Sequence, residues 1–385
     1  MSYAFLVVTL IALGLALLAL LAVRERELRG AWWVPAMVTA ELAPWFLVGV
    51  AAITGLAVVA GSTGGAPGTV GLAAAFVAGV LIGWAALRAR SARPAIESGL
   101  TDLLGEAVLL PRIAFRRRLR PFPPLPGPYE METFAYGPHQ RHRVDRIARP
   151  DVDAGPVLIH VHGGGWWRGR RGRQARPLIH RMASMGWVVL TPTYRLSPEA
   201  TFPDHLDDIE RLLAWVRESA AVLRADTGFI AVAGGSAGGQ LAALAGFGPG
   251  APDVVVPIYG VHDLLGSDGM SEKWPYLRTA VMKSDPQTDR EAWIRASPAR
   301  SVTADRPPFL VVHGSADWVV DAAESRSLVD AMRAAGGPPV GHIEVPFANH
   351  GFDFFASVRS LLLAEGIAVA LEALNARRLQ EAEGA

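Results

Sequence analysis

The first ninety or so residues are dominated by three long hydrophobic stretches. They cover residues 3–23, 43–60 and 69–87 and contain no charged side chain. A helix needs about 20 apolar residues to cross the hydrocarbon core of a bilayer, which is about 30 Å thick. The pattern therefore predicts a transmembrane region over residues 1–93 with about three membrane-spanning helices.

Arginines flank these stretches on one side only. Arg24, Arg26 and Arg29 follow the first stretch, and a dense series of arginines begins at Arg88, whereas the turn at residues 61–68 carries no charge. Positively charged loops stay in the cytoplasm. We therefore expect an integral protein of the cell membrane whose N-terminus lies outside and whose chain after the third span is cytoplasmic.

Residues 94–128 predict a juxtamembrane amphipathic helix followed by a proline-rich linker. Apolar residues recur at helical spacing, at Ile96, Leu100, Leu103, Leu104 and Val108. Such a face can rest on a lipid surface or cover the domain that follows, and the pattern does not separate the two alternatives. Five prolines between residues 121 and 128 mark the domain boundary.

From residue 129 to residue 385 the pattern changes to short apolar runs that alternate with helical periods. This alternation predicts an α/β domain with a mostly parallel, doubly wound sheet. Several runs are apolar throughout, as expected of strands covered by helices on both faces. Strands are predicted at 157–161, 187–191, 230–233, 254–259, 309–313 and 342–345, and helices at 204–217, 321–335 and 358–374.

The amino-acid composition excludes several kinds of functional site. The chain of 385 residues has no cysteine, so disulfides, a thiol nucleophile and cysteine metal sites are excluded. Its formal net charge of +1 argues against a nucleic-acid partner. We expect neither a metal nor a cofactor, and the oligomeric state stays open.

The segment around Ser236 combines a strand with a small-residue turn. The run Ala231-Val232-Ala233 leads into Gly234-Gly235-Ser236-Ala237-Gly238, a Gly-x-Ser-x-Gly sequence that opens the next helix. A serine in this sharp turn is exposed as a nucleophile, and glycines avoid collisions around it. A phosphate-binding loop is the rival interpretation, but no Lys-Ser or Lys-Thr pair follows.

A second glycine-rich segment follows the strand at 157–161. His162 precedes Gly163, Gly164 and Gly165, whose backbone N–H groups are free to face an anion. Acyl transfer needs such donors where the carbonyl oxygen becomes an oxyanion. We expect His162 to hold the loop by hydrogen bonding, not to take part in catalysis.

Two later residues complete a candidate triad. Asp317 follows the strand at 309–313, and His350 lies in a loop after the last strand. A serine needs a base to take its proton, and the base needs a carboxylate that fixes its tautomer. Asp321 competes weakly with Asp317 for the acid role, and the chain order Ser236, Asp317, His350 is that of α/β-hydrolases.

Taken together, these motifs resemble the hormone-sensitive-lipase-like branch of the α/β-hydrolases. The segments that carry the resemblance are His162-Gly163-Gly164-Gly165, Tyr194 to Glu199, Gly234 to Gly239, and His313-x-x-x-Asp317 followed by His350-Gly351-Phe352. It implies Ser236 as nucleophile, His350 as base and Asp317 as its orienting acid. An oxyanion hole would come from Gly163, Gly164, Gly165 and Ala237. Gly235 departs from the family, which usually carries Asp or Glu there.

The neighbouring residues have less specific roles. For Arg195 and Glu199, an ion pair that stabilises their loop is favoured over a catalytic role. Residues 262–300, with Trp274, Tyr276 and Trp293, resemble an insertion over the active site. For Trp166 and Trp167, lining of the pocket and packing in the core are equally good explanations.

The resemblance implies a membrane-anchored serine carboxylesterase or lipase, acting through an acyl-enzyme on esters that include lipid-derived ones. Two alternatives stay open: an acyltransferase that uses the same triad, and an inert hydrolase-like module that only binds a ligand or partner. The intact set of nucleophile, base, acid and glycine loop argues against the inert module.

Overall fold

The computed structural model describes residues 1–20, 26–266 and 274–384. Their centre is one eight-stranded sheet. Its strands are β1 (Glu130–Ala135), β2 (Arg143–Ala148), β3 (Gly155–Val161), β4 (Val188–Pro192), β5 (Ala225–Gly235), β6 (Val254–Ile258), β7 (Phe309–Gly314) and β8 (Val340–Val345).

The strands lie in the order β1-β2-β4-β3-β5-β6-β7-β8. The five neighbouring pairs from β4 to β8 are parallel, whereas β1 pairs with β2 and β2 with β4 in the antiparallel sense. Parallel strands require long crossover connections, which place helices on both faces of the sheet. Hydrophobic cores consequently lie on the two faces of the sheet.

The helices before the sheet are α1 (Ser2–Leu20), α2 (Arg26–Glu41), α3 (Ala43–Val59), α4 (Gly65–Arg88), α5 (Ala92–Leu104) and α6 (Phe115–Arg118). Those after the first three strands are α7 (Arg176–Ser184), α8 (Asp204–Glu218), α9 (Ala220–Leu223), α10 (Ala237–Ala245), α11 (Arg290–Arg295), α12 (Ala323–Ala335) and α13 (Val358–Gly384).

All six strands predicted from apolar runs are present, at β3 to β8. The three predicted helices correspond to α8, α12 and α13, although α12 begins at Ala323 and α13 continues to Gly384. The sequence pattern did not predict β1 and β2. Polar and charged residues interrupt both strands, so neither shows the continuous apolar run of a central strand.

In the N-terminal region, α1 and α4 are long and apolar enough to cross a membrane. A third candidate span forms only if α2 and α3 are taken together, and these two helices are bent by 83° relative to each other. α3, which corresponds to the predicted second span, has 17 residues. Residues 21–23 of the first predicted span and Arg24 lie outside the described residues.

The amphipathic helix predicted within residues 94–128 corresponds to α5. Its apolar residues Ile96, Leu100 and Leu103 are buried in the core on one face of the sheet, against β8 and α13. A Cβ at Gly99 would lie 2.5 Å from the carbonyl oxygen of His342 in β8, so only glycine permits this close approach. The apolar face is thus covered by protein and not available to lipid.

Candidate active site

The candidate residues come together because their strands end at the same edge of the sheet. Ser236 follows β5, the glycine loop follows β3, Asp317 follows β7 and His350 follows β8. The carboxyl ends of parallel strands lie on one side, which is where ligands bind in open α/β sheets. The order in the sheet places β3, β5, β6, β7 and β8 next to one another.

The backbone at Ser236 is strained in the way that a nucleophile elbow requires. Its φ is 57° and its ψ is −122°, and it directly precedes α10. A non-glycine residue with positive φ costs free energy, which the surrounding structure must offset. The turn places the Ser236 hydroxyl at the N-terminus of α10, where unpaired backbone N–H groups favour negative charge.

A continuous chain of hydrogen bonds links the three predicted residues. His350 Nε2 lies 3.0 Å from Ser236 Oγ, and His350 Nδ1 lies 2.8 Å from Asp317 Oδ2. Both distances are within the range needed for proton transfer from the serine and for orientation of the imidazole. Chemically, this arrangement can generate a serine nucleophile.

Asp317 is well placed to stay ionised although it is buried. Burial would raise its pKa, but the charge interaction with His350 and hydrogen bonds from His313 and His350 outweigh burial and hold the pKa below its ordinary value. Its Oδ1 also accepts the backbone N–H groups of Val319 at 2.8 Å and Val320 at 2.9 Å. An ionised carboxylate at this point stabilises a protonated His350.

The glycine loop lies next to the serine. Gly164 and Gly165 line the same cavity as Ser236 and have φ values of 122° and 63°, a region that favours glycine. Gly163 differs from its predicted role because its N–H donates to Gln174 Oε1 at 2.7 Å. The Gly163 N–H is therefore not available to an oxyanion in this conformation. No local sequence pattern identifies Gln174 as a hydrogen-bond partner of the glycine loop.

His162 holds the glycine loop through contacts of its imidazole ring. Its Nδ1 lies 2.8 Å from the carbonyl oxygen of Gly163, and its ring stacks on Tyr194 with centroids 4.6 Å apart. Burial lowers the pKa of His162 to about 4, so its imidazole is neutral at pH 7. These contacts agree with a role in holding the loop.

A buried tyrosine and carboxylate lie behind His350, and sequence reasoning missed both. The ring of Tyr259 lies 4.7 Å from the ring of His350, and its hydroxyl donates to Asp353. Burial raises the pKa of Asp353 to about 6, in spite of the opposing hydrogen bond from Tyr259. A Cβ added at Gly235 would lie 2.8 Å from the Tyr259 hydroxyl oxygen, so little space is left for a larger side chain.

The cavity above the serine is mainly aromatic. It has a volume of about 500 Å³, and its walls include Trp167, Trp274, Tyr276, Phe354 and, from α2, Trp33. Trp166 and Trp167 both line the cavity, and Trp166 is also buried in the core with 2% exposure, whereas Trp167 is 57% exposed. Trp293 is buried in the core. Residues 267–273 of the predicted insertion lie outside the described residues.

The other candidates lie outside this arrangement. Arg195 pairs with Asp208 at 2.7 Å and with Asp204 at 2.8 Å, so its partners are on α8 and Glu199 is not among them. Asp321 is exposed and caps the backbone N–H of Ala323. Within the described ranges, no group of three or more metal-binding side chains was found.

Comparison with known proteins finds esterases among the relatives of this chain. The BD-FAE family model matches residues 147–332. Esterase LipQ of Mycobacterium tuberculosis is 37% identical over 294 residues, which cover 70% of each chain. Probable carboxylic ester hydrolase LipM of the same organism is 37% identical over 59% of this chain and 57% of its own length.

Solved structures share the fold. A truncated carbohydrate esterase from gut microbiota has a TM-score of 0.56 at 23% identity, covering 66% of this chain and 99% of that one. Esterase B of Lactobacillus rhamnosis has a TM-score of 0.57 at 20% identity, and the match covers 68% of this chain and 90% of that one. The sheet and the named relatives together define a carboxylic ester hydrolase with an α/β-hydrolase fold. The chain belongs to the α/β-hydrolase esterases, the family that includes LipQ.

Proposed function

We propose that this chain is a membrane-anchored serine esterase that cleaves carboxylic esters through an acyl-enzyme. The observation that carries the proposal is the hydrogen-bonded chain from Ser236 through His350 to Asp317, which opens into an aromatic cavity. In this proposal Ser236 is the nucleophile, His350 the base and Asp317 the acid that orients it. A binding module needs no such chain.

In the acylation step, Ser236 Oγ attacks the ester carbonyl carbon while His350 Nε2 takes the hydroxyl proton. The carbonyl oxygen becomes an oxyanion, which accepts hydrogen bonds from the backbone N–H groups of Gly164, Gly165 and Ala237. Each such donor is worth about 3–4 kcal/mol in the transition state. Collapse of the intermediate breaks the ester C–O bond, and His350 returns the proton to the departing alcohol oxygen.

In the deacylation step, a water molecule attacks the acyl carbon and gives a proton to His350 Nε2. The second tetrahedral intermediate releases the carboxylic acid, and the proton returns to Ser236 Oγ. If an alcohol took the place of water, the same intermediate would yield a new ester. Product analysis in the presence of added alcohol separates hydrolysis from acyl transfer.

We further propose that residues 1–93 anchor the enzyme in the cell membrane. The length and hydropathy of α1 and α4 support this proposal. In it, α3, with 17 residues, would supply the third crossing after the bend at Leu42. The arginines after the first and third hydrophobic stretches support a cytoplasmic location for the sheet domain. The substrates would be esters with an apolar part, in keeping with the aromatic cavity.

The nucleophile can be tested with a serine-reactive fluorophosphonate probe on the full chain in detergent. We expect one label at Ser236 and a loss of ester turnover of about 10⁴-fold to 10⁶-fold in Ser236→Ala. Ser301→Ala, which alters a serine that bonds the carbonyl of Ile294, serves as the control and should label like the wild type. Retention of more than about a tenth of the activity in Ser236→Ala would contradict the assignment.

A further inference from the structure

The N-terminal region contacts the loop that carries His350. We call residues 346–357, between β8 and α13, the histidine loop. The ring of Trp33 in α2 meets the ring of His350 edge to face, with centroids 5.7 Å apart and planes at 83°. Trp33 also lines the cavity that contains Ser236. A residue from the region that precedes the fold thus forms part of the active-site wall.

Two further contacts hold α2 and α4 in place beside this loop. Glu41, at the end of α2, forms an ion pair with Arg359 at 2.9 Å, and both side chains are almost fully buried. Arg359 also donates to the carbonyl oxygen of Pro346, at the start of the histidine loop. The guanidinium of Arg88, at the end of α4, lies 4.0 Å from the ring centre of Phe347. The contacts lie on either side of His350 along the chain, and the ion pair of Glu41 ties the end of the helix that carries Trp33 to α13.

Two exposed apolar side chains flank Trp33 on α2. Trp33 is half-buried, whereas its neighbours Trp32 and Val34 are 45% and 43% exposed. α2 also packs against α1, one of the proposed membrane spans. Tryptophans favour the region between the hydrocarbon core and water. An apolar chain lying at this depth would therefore meet α2 before it meets the cavity.

We infer that Trp33 is a specificity-determining residue, which forms the wall of the ester pocket next to the membrane. The ligands it favours are esters with an extended apolar chain, which enter from the leaflet along α2. Three observations support this role: the contact with His350, the aromatic lining that Trp33 continues, and the buried ion pair that fixes α2. The inference rests on the proposed membrane-anchored serine esterase and extends it to the class of substrate.

The test measures chain-length selectivity in the full-length protein, purified in detergent, with p-nitrophenyl acetate and p-nitrophenyl octanoate. In Trp33→Ala we expect the octanoate-to-acetate ratio of kcat/KM to fall at least about tenfold, as truncation of a central aromatic contact usually gives. The loss should appear mainly in KM for octanoate. Trp33→Phe keeps an aromatic wall and should recover most of the ratio.

The matched control is Trp32→Ala, which removes an adjacent tryptophan of the same helix that does not line the cavity. Its ratio should stay within about twofold of the wild type. An unchanged ratio in Trp33→Ala, or an equal fall in Trp32→Ala, overturns the inference. If Trp33→Ala does not fold, Trp33→Leu takes its place under the same criteria. Fluorophosphonate labelling of Ser236 in each variant keeps this outcome distinct from failure of the proposed nucleophile.

Discussion

Position 235 shows how one residue exchange is accommodated in the site. The hormone-sensitive-lipase-like enzymes that the chain resembles usually carry Asp or Glu before the serine, but this chain has Gly235. Tyr259 occupies the adjacent space, and its hydroxyl donates to Asp353, three residues after His350. A carboxylate is therefore present near the base, but it comes from the histidine loop and lies behind a tyrosine.

Restoring an acid at this position should harm the enzyme. In Gly235→Asp, the new Cβ would lie within 2.8 Å of the Tyr259 hydroxyl, in a fully packed region. Overpacking of this kind costs about 1–3 kcal/mol of unfolding free energy. We expect a lower melting temperature and a lower kcat, measured by thermal denaturation and ester hydrolysis.

A double variant tests whether the lost stability of Gly235→Asp comes from the contact with the Tyr259 hydroxyl. Tyr259→Phe removes the oxygen nearest the new Cβ, so Gly235→Asp combined with Tyr259→Phe should regain part of the lost stability. A Gly235→Asp variant as stable and active as the wild type would show that Tyr259 does not restrict this position.

At the scale of secondary-structure elements, the ion pair between Glu41 and Arg359 connects α2 to α13. Removing one partner of a buried pair leaves an uncompensated charge and typically costs about 3–5 kcal/mol. We expect Glu41→Gln to lower the melting temperature by several degrees and to lower kcat, because the histidine loop is less firmly held. Thermal denaturation and ester turnover in detergent measure both effects.

An exposed ion pair of the same chemical type provides the control. Glu106 lies 3.0 Å from Arg377, with side chains 68% and 42% exposed. Such surface pairs contribute about 0–1 kcal/mol, so Glu106→Gln should behave almost like the wild type. Equal effects of the two substitutions would argue against a special role for the buried pair.

The secondary-structure elements also show how much of the fold can be predicted from the sequence. Apolar β-branched runs predicted β3 to β8, because strands covered on both faces need such residues. The pattern did not predict β1 and β2, where charged residues are compatible with the antiparallel side of the sheet. The motifs also predicted which residues meet at Ser236. They could not predict Trp33, Gln174 or Asp353, whose roles depend on contacts between distant segments.

For the whole molecule, the membrane arrangement makes a testable prediction. The proposed three crossings, with the N-terminus outside, would place the sheet domain and its active site in the cytoplasm. A reporter fused after Ala385 that works only in the cytoplasm should be active, and one that works only outside should be silent.

The second span is the critical point for this prediction. α2 and α3 meet at a bend of 83°, and in the proposed arrangement α3, with 17 residues, would cross the bilayer without α2. Reporters inserted in the turn at residues 61–68 examine this crossing directly and should give the opposite pattern from the C-terminal fusion. The same pattern at both places would contradict three crossings, while leaving the assignment of Ser236 untouched.

The long separation between Glu41 and Arg359 has a consequence for biosynthesis. The two residues are 318 positions apart. Chains are made from the N-terminus at about 5–20 residues per second, so Glu41 and Trp33 leave the ribosome long before their partners exist. In the proposed membrane-anchored enzyme, the anchor would be inserted before Asp317 and His350 are made. An unfinished chain would then be attached to the bilayer without the base that activates Ser236.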